Sequence, residues 1–155
     1  MHSHDGLRDS LTHLAAPGLF YEELRRELAR SKRNGDQLSL IRLILRPIAS
    51  ELRSNSHSEY EVEVLSFSHT LHRLSRAEDI CSRMGNLEFL TLLHGNESVA
   101  KNLIERVRSA WSTDLLTHAG PGYLSRVTLA SSQLSSLAGE HSLEFLNRLD
   151  LELCI

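Results

Sequence analysis

Apolar positions along the chain switch between two spacings. In "LFYEELRRELARSKRNG", Phe20, Leu24 and Leu28 recur every four residues, which sets one apolar stripe on a helix, and Gly35 is placed to end it. "LSLIRLILRPI" is instead a short, nearly continuous apolar run closed by Pro47, the pattern of a buried strand. The helical spacing returns in "EVEVLSFSHTLHRLSR" at Val64, Phe67, Leu71 and Leu74. "LEFLTLL" reads as a strand after a turn at Gly85 and Asn86, paired with the preceding "SRM". "NESVAKNLIERVRSAW" places Ala100, Leu103, Ile104, Val107 and Trp111 on one helix face, with Asn96 as its cap. "SRVTLASSQL" is a further strand, and "SLEFLNRLDLELCI" a closing helix with Leu143, Leu146 and Leu149 or Leu153 inward. The loops around "RSNSHSE" and "THAGPGY" are polar or rich in Gly and Pro. Alternating helices and strands predict an α/β or α+β layer with helices on a sheet.

Composition narrows the function classes. The 155 residues suit one domain with a single core, and 41% hydrophobic with 24% charged residues is ordinary globular composition. A net charge of -3 argues against a general nucleic-acid binder. No run approaches the roughly 20 apolar residues of a membrane helix, and "MHSHDGLRDS" has no apolar core of a signal peptide. Cys81 and Cys154 do not form a disulfide framework; free thiols suit a reducing cytoplasm.

The order of elements and several local words resemble the GGDEF domain, the diguanylate cyclase fold of bacteria. "DSLTHLAAPGLF" is similar to the opening D-x-L-T-G-L-x-N-R-x-x-F, keeping Asp9, Leu11, Thr12, Leu14 and Phe20. "SRMGNLEFLTLL" stands in the place of the R-x-G-G-D-E-F hairpin, keeping Arg83, Gly85, Glu88 and Phe89. "LIERVRSA" is similar to A-E-R-I-R, "VTLASSQL" to V-T-x-S-x-G, and "LEFLNRLDLELC" to L-L-x-R-A-D-x-A-L-Y. The resemblance implies a central mixed sheet flanked by helices, in a degenerate domain over residues 9–155 behind a disordered or short tail, 1–8.

Departures from the family pattern bear on activity. Joining two GTP molecules requires carboxylates on hard cations that neutralise phosphate charge. The resemblance places those acids at the first Asp of D-I-D and the third hairpin residue, which here are Ile44 and Leu87; the second Asp of D-I-D is Arg46. Of the degenerate hairpin Gly85, Asn86, Leu87, Glu88 and Phe89, only Glu88 is acidic. Asn86 replaces the second hairpin glycine, and a left-handed Asn could keep the turn. The guanine-reading Asn falls near Leu52 by ungapped counting, and its acidic partner near Glu61. The family's phosphate-binding A-K-x-x-G-R-N does not follow the last helix. The expectation is no cyclase activity, no catalytic residue, no metal site and no cofactor.

One family word survives. Arg76 and Asp79 form R-x-x-D five residues before the hairpin, where many members carry an inhibitory site for cyclic di-GMP. A guanidinium can donate to the O6/N7 edge of guanine, and a carboxylate can accept from N1 and N2. Read from the residues alone, the same pair is an exposed ion pair of about 0–1 kcal/mol. The resemblance therefore implies a cytoplasmic signalling module that binds cyclic di-GMP through Arg76 and Asp79. A scaffold that docks a protein partner or pairs with itself, without nucleotide, stands as the alternative. An enzyme with altered metal use fits the lost acids least.

Other candidates are weaker. His69 and His72 share a helix face with Cys81 not far on, a possible metal pair but more simply two solvent-facing imidazoles. Arg25, Arg26, Arg30, Lys32 and Arg33 are interleaved with glutamates and read as a solvated face. Cys81 has no base beside it in sequence and reads as a small buried residue.

Overall fold

The computed structural model describes residues 6–48 and 60–155. The predicted loop around "RSNSHSE" and the Leu52 position lie outside the described residues.

Helix α1 spans Pro17–Asn34, with Pro at its first turn and Gly35 in the left-handed conformation at its end (φ 76°), its N–H on Ser31 O at 2.7 Å. Strand β1 is Leu38–Pro47, α2 Glu61–Leu74, β2 Ile80–Arg83 and β3 Glu88–His94. Helix α3 covers Glu97–Ala119, longer than the sequence pattern marks, and Asn96 caps it by accepting from Val99 N at 3.2 Å. Strand β4 (Val127–Ser135) and α4 (Ser142–Asp150) complete the order.

The strands form one sheet in the order β2-β3-β1-β4. All its strand pairs are antiparallel, so the sheet is not mixed as expected; the parallel element is a bridge between Ala15 and Ser82. That bridge covers the outer edge of β2. Leu7 and Arg8, expected in the tail, are tied in as well: Ala16 N donates to Leu7 O at 2.8 Å, and Arg8 bridges Ala15.

Because β1 is buried on both faces, it reads as a continuous apolar run. One face sends Ile41, Leu43 and Leu45 under α2 and α3, beside Phe67, Phe89 and Trp111. The other sends Leu38 and Leu40 under α1 and α4, beside Phe20, Leu24, Phe145 and Leu149. The predicted apolar stripes of α1, α2 and α3 are all on the buried side.

The closing helix differs from expectation. Leu143 is 68% exposed and Leu153 77% exposed, while Phe145 and Leu149 are fully buried and Leu146 is partly so. Apolar residues surround this short segment, so spacing alone admits two faces, and Phe145 wins by filling the space over Leu90 and Leu134. The helix also stops at Asp150. The chain then runs out along β4, where Ser131 and Ile155 exchange backbone bonds of 2.8 and 2.9 Å.

Candidate functional site

The predicted hairpin is present, but not by the predicted backbone. Met84 N and Gly85 N both donate to Glu88 O, at 2.8 and 3.3 Å, and Arg83 pairs with Phe89. Neither Gly85 nor Asn86 has positive φ, and a Cβ built on Gly85 meets only Glu88 Cβ at 3.8 Å. The turn therefore needs neither a glycine nor a left-handed Asn. Arg83 holds it instead, donating to Asn86 O at 3.0 Å and to Asn86 Oδ1 at 3.1 Å. The same guanidinium reaches Asp9 at 3.2 Å, and Asp9 accepts from the N–H and the hydroxyl of Thr12, each at 2.8 Å. Burial pushes the Asp9 carboxyl up, but the Thr12 bonds and the Arg83 charge outweigh it and hold the group below the usual carboxylate range.

Ile44 of β1 stands opposite Glu88 of β3. Strand alternation puts Arg42 and Arg46 on the same face as Ile44. Arg42 pairs with Asp150 and lies 3.9 Å from Glu88, and Arg46 donates to Cys154 O at 3.0 Å. Leu87 packs against the core cluster under α2 and α3. The residues present do not fit a pair of divalent cations: Ile44 and Leu87 beside Glu88 offer no ligand, and the Arg42 guanidinium near Glu88 is engaged with Asp150. The sequence pattern showed Arg46 here but not Arg42, whose part depends on the sheet register.

Arg76 and Asp79 stand on the turn between α2 and β2. The turn closes through Asp79 N to Arg76 O at 3.1 Å. Asp79 Oδ2 accepts from Arg76 N at 3.0 Å, and Oδ1 from His94 N at 3.4 Å. The anticipated ion pair is not formed. The carboxylate is oriented by backbone N–H groups, and among the described residues the exposed Arg76 guanidinium has no hydrogen-bond or ion-pair partner. Both side chains line two clefts. One, of about 580 Å³, also includes Arg8, His13, Glu23 and His72. The other, of about 300 Å³, includes Asn102, Glu105 and Arg106 of α3. Arg106 and His13 lie in the segments "LIERVRSA" and "DSLTHLAAPGLF", far from Arg76 in sequence; only the fold brings them beside the turn.

His69 and His72 are exposed, and the His69 ring meets His118 edge-on at 5.1 Å between centroids. Among the described residues no three His, Cys, Asp or Glu side chains gather to hold a metal ion. Cys81 is half-buried between Ser75 Oγ at 3.0 Å and Thr91 Oγ1 at 3.7 Å. Burial pushes its thiol up, so it is not an activated nucleophile. Arg25, Arg26 and Arg30 of α1 pair with Glu22, Glu23 and Glu27 along the helix, a solvated face as anticipated. Among the described residues no helix is long and apolar enough to cross a membrane.

Comparison with known proteins identifies the family and the fold. The family model "Diguanylate cyclase, GGDEF domain" matches residues 7–132. The GGDEF domain of DgcB from Caulobacter crescentus, solved in complex with c-di-GMP, superposes with a TM-score of 0.79 at 22% identity, covering 97% of this chain and 86% of that one. Diguanylate cyclase SiaD from Pseudomonas aeruginosa, solved with its activator SiaC, gives a TM-score of 0.76 at 27% identity over 92% of this chain and 55% of that one. The FimX GGDEF domain from the same organism gives 0.75 at 14% identity, covering 92% and 88%. No curated protein sequence matches the chain.

Proposed function

Since the chain belongs to the diguanylate cyclase GGDEF domain family, we propose that it is a cytoplasmic signalling module that binds cyclic di-GMP at Arg76 and Asp79 and does not synthesise it. One observation carries the binding half. The Arg76 guanidinium is exposed and unengaged among the described residues, beside a carboxylate already oriented by backbone N–H groups, at the meeting of two clefts. A preset donor and acceptor at that spacing suit the two edges of a guanine. The solved complex of the DgcB domain with c-di-GMP supports the choice of ligand.

Loss of catalysis is supported by the inverted charge around Ile44. Arg42 and Arg46 flank it on the strand, and a guanidinium repels the cation that phosphoryl transfer needs. With GTP and magnesium or manganese the purified protein should yield no cyclic di-GMP by mass spectrometry. Protein-dependent product that survives a Glu88→Ala contamination control would overturn this half.

Calorimetric titration tests the binding half. Arg76→Ala should weaken cyclic di-GMP by about 5- to 150-fold, the loss of one bidentate arginine–guanine contact. Arg76→Lys should not restore it, because an ammonium lacks the planar fork. A wild type without heat or thermal shift at millimolar cyclic di-GMP would remove the receptor reading. The interaction module would then be the better account, and the exposed Leu151, Leu153 and Ile155 are its observation.

A further inference from the structure

His13 is the one residue other than glycine with positive φ among the described residues, at 62°. A side chain in the left-handed region costs free energy that glycine does not, and such strain persists only where the surroundings fix it. Here they do. His13 N donates to Asp9 O at 2.8 Å and Asp9 N to Leu14 O at 2.7 Å, while Arg8 reaches His13 O at 3.3 Å. In the D-x-L-T-G-L word that this segment resembles, the position is glycine, so the backbone asks for no side chain. What the strain retains is an exposed imidazole.

That imidazole stands between two clefts. His13 and His72 both line the cleft of about 580 Å³ that holds Arg76 and Asp79. Both also line a neighbouring cleft of about 490 Å³ with apolar walls of Leu11, Val62 and Leu65. The first cleft offers charged groups for the edges of one base. The second offers ring faces and aliphatic walls, which favour the flat surface of a base over its edges.

We propose that His13 and His72 complete a bipartite site for a two-base purine ligand: Arg76 and Asp79 take the edges of one base, and the two imidazoles stack on the second. This rests on the cyclic di-GMP reading above and adds residues that act on the second base alone. A ligand with a single base engages only the Arg76–Asp79 half.

The test is calorimetry on the full chain with cyclic di-GMP and with GMP, paired with thermal melts, for wild type, His13→Gly, His13→Asn and His72→Ala. His13→Gly relieves the left-handed backbone, so its melting temperature should hold or rise while cyclic di-GMP affinity falls by about 5- to 150-fold, the loss of one base–aromatic stack. Asn tolerates the same backbone without a ring, so His13→Asn should lose affinity without unfolding. GMP affinity should change less than threefold or so in all three variants. If cyclic di-GMP binds the three variants as wild type while Arg76→Ala still weakens it, the bipartite site is wrong and the Arg76–Asp79 reading stands. If GMP loses as much as cyclic di-GMP, the histidines serve a single-base site and the proposal is also wrong. A wild type that binds neither ligand overturns both readings together.

Discussion

Replacing Asp9 by asparagine removes one negative charge where three segments meet: the turn before α1, the edge of β2 and the hairpin tip. Arg83 donates to Asp9 at 3.2 and 3.4 Å, and the two side chains are only 13% and 22% exposed. An exposed pair contributes about 0–1 kcal/mol, and breaking a fully buried one costs about 3–5 kcal/mol. This pair lies between, and asparagine keeps an acceptor for Thr12 N, so Asp9→Asn should cost about 1–3 kcal/mol. For a chain of this size that lowers the melting temperature by about 2–12 °C. The pH dependence has a definite sign. The folded carboxyl lies below the ordinary value of about 3.9, so its contribution is full above that value and is lost as pH falls through the lower folded value. Urea unfolding of wild type and Asp9→Asn should therefore show a gap at neutral pH that narrows as pH falls below the ordinary carboxylate value of about 3.9 and closes below the lower folded value. A gap of equal size at both ends, or none at neutral pH, would refute the assignment of this network to charge.

Five further substitutions probe the same frame by denaturation. Asp79→Asn should cost about 0.5–1.5 kcal/mol, because its carboxylate accepts from Arg76 N and His94 N, whereas Arg76→Ala should leave stability within about 0.5 kcal/mol. Gly95→Ala should cost about 1–3 kcal/mol, since φ is 150° and an added Cβ would lie 2.8 Å from Val99 Cβ; Gly85→Ala, with its nearest neighbour at 3.8 Å, should stay within about 0.5 kcal/mol. Arg148→Ala should cost about 1–3 kcal/mol, because Glu140, a carboxylate 4% exposed that Arg148 binds at 2.7 Å and holds below its usual range, keeps the Leu137 N–H at 3.0 Å but loses its countercharge. Loss from the Arg148 variant should also shrink as pH falls through the Glu140 value, which a guanidine titration at two pH values would read.

The amino-acid sequence by itself determined the elements whose signals are local. A four-residue recurrence at Phe20, Leu24 and Leu28, a cap at Asn96 and a stop at Gly35 each act within a turn or two of chain, and each stands where the pattern put it. The family words were legible for the same reason, being short and fixed in order, and the family model confirms them over residues 7–132. Where two readings shared one spacing, the tertiary structure chose. In α4 the apolar residues Leu143, Phe145, Leu146 and Leu149 allow either face, and the space over β3 and β4 selected Phe145 and Leu149. The hairpin shows the same limit. Its turn was visible as Gly85-Asn86, but its conformation came from Arg83, whose partner Asp9 lies 74 residues away. The candidate site depends on such distances throughout: Arg42 meets Asp150 across 108 residues, and His13 reaches the cleft of Arg76 only because Ala15 bridges β2. Local spacing sets which residues share a face, whereas the docking of faces depends on the volume and charge of every side chain between them.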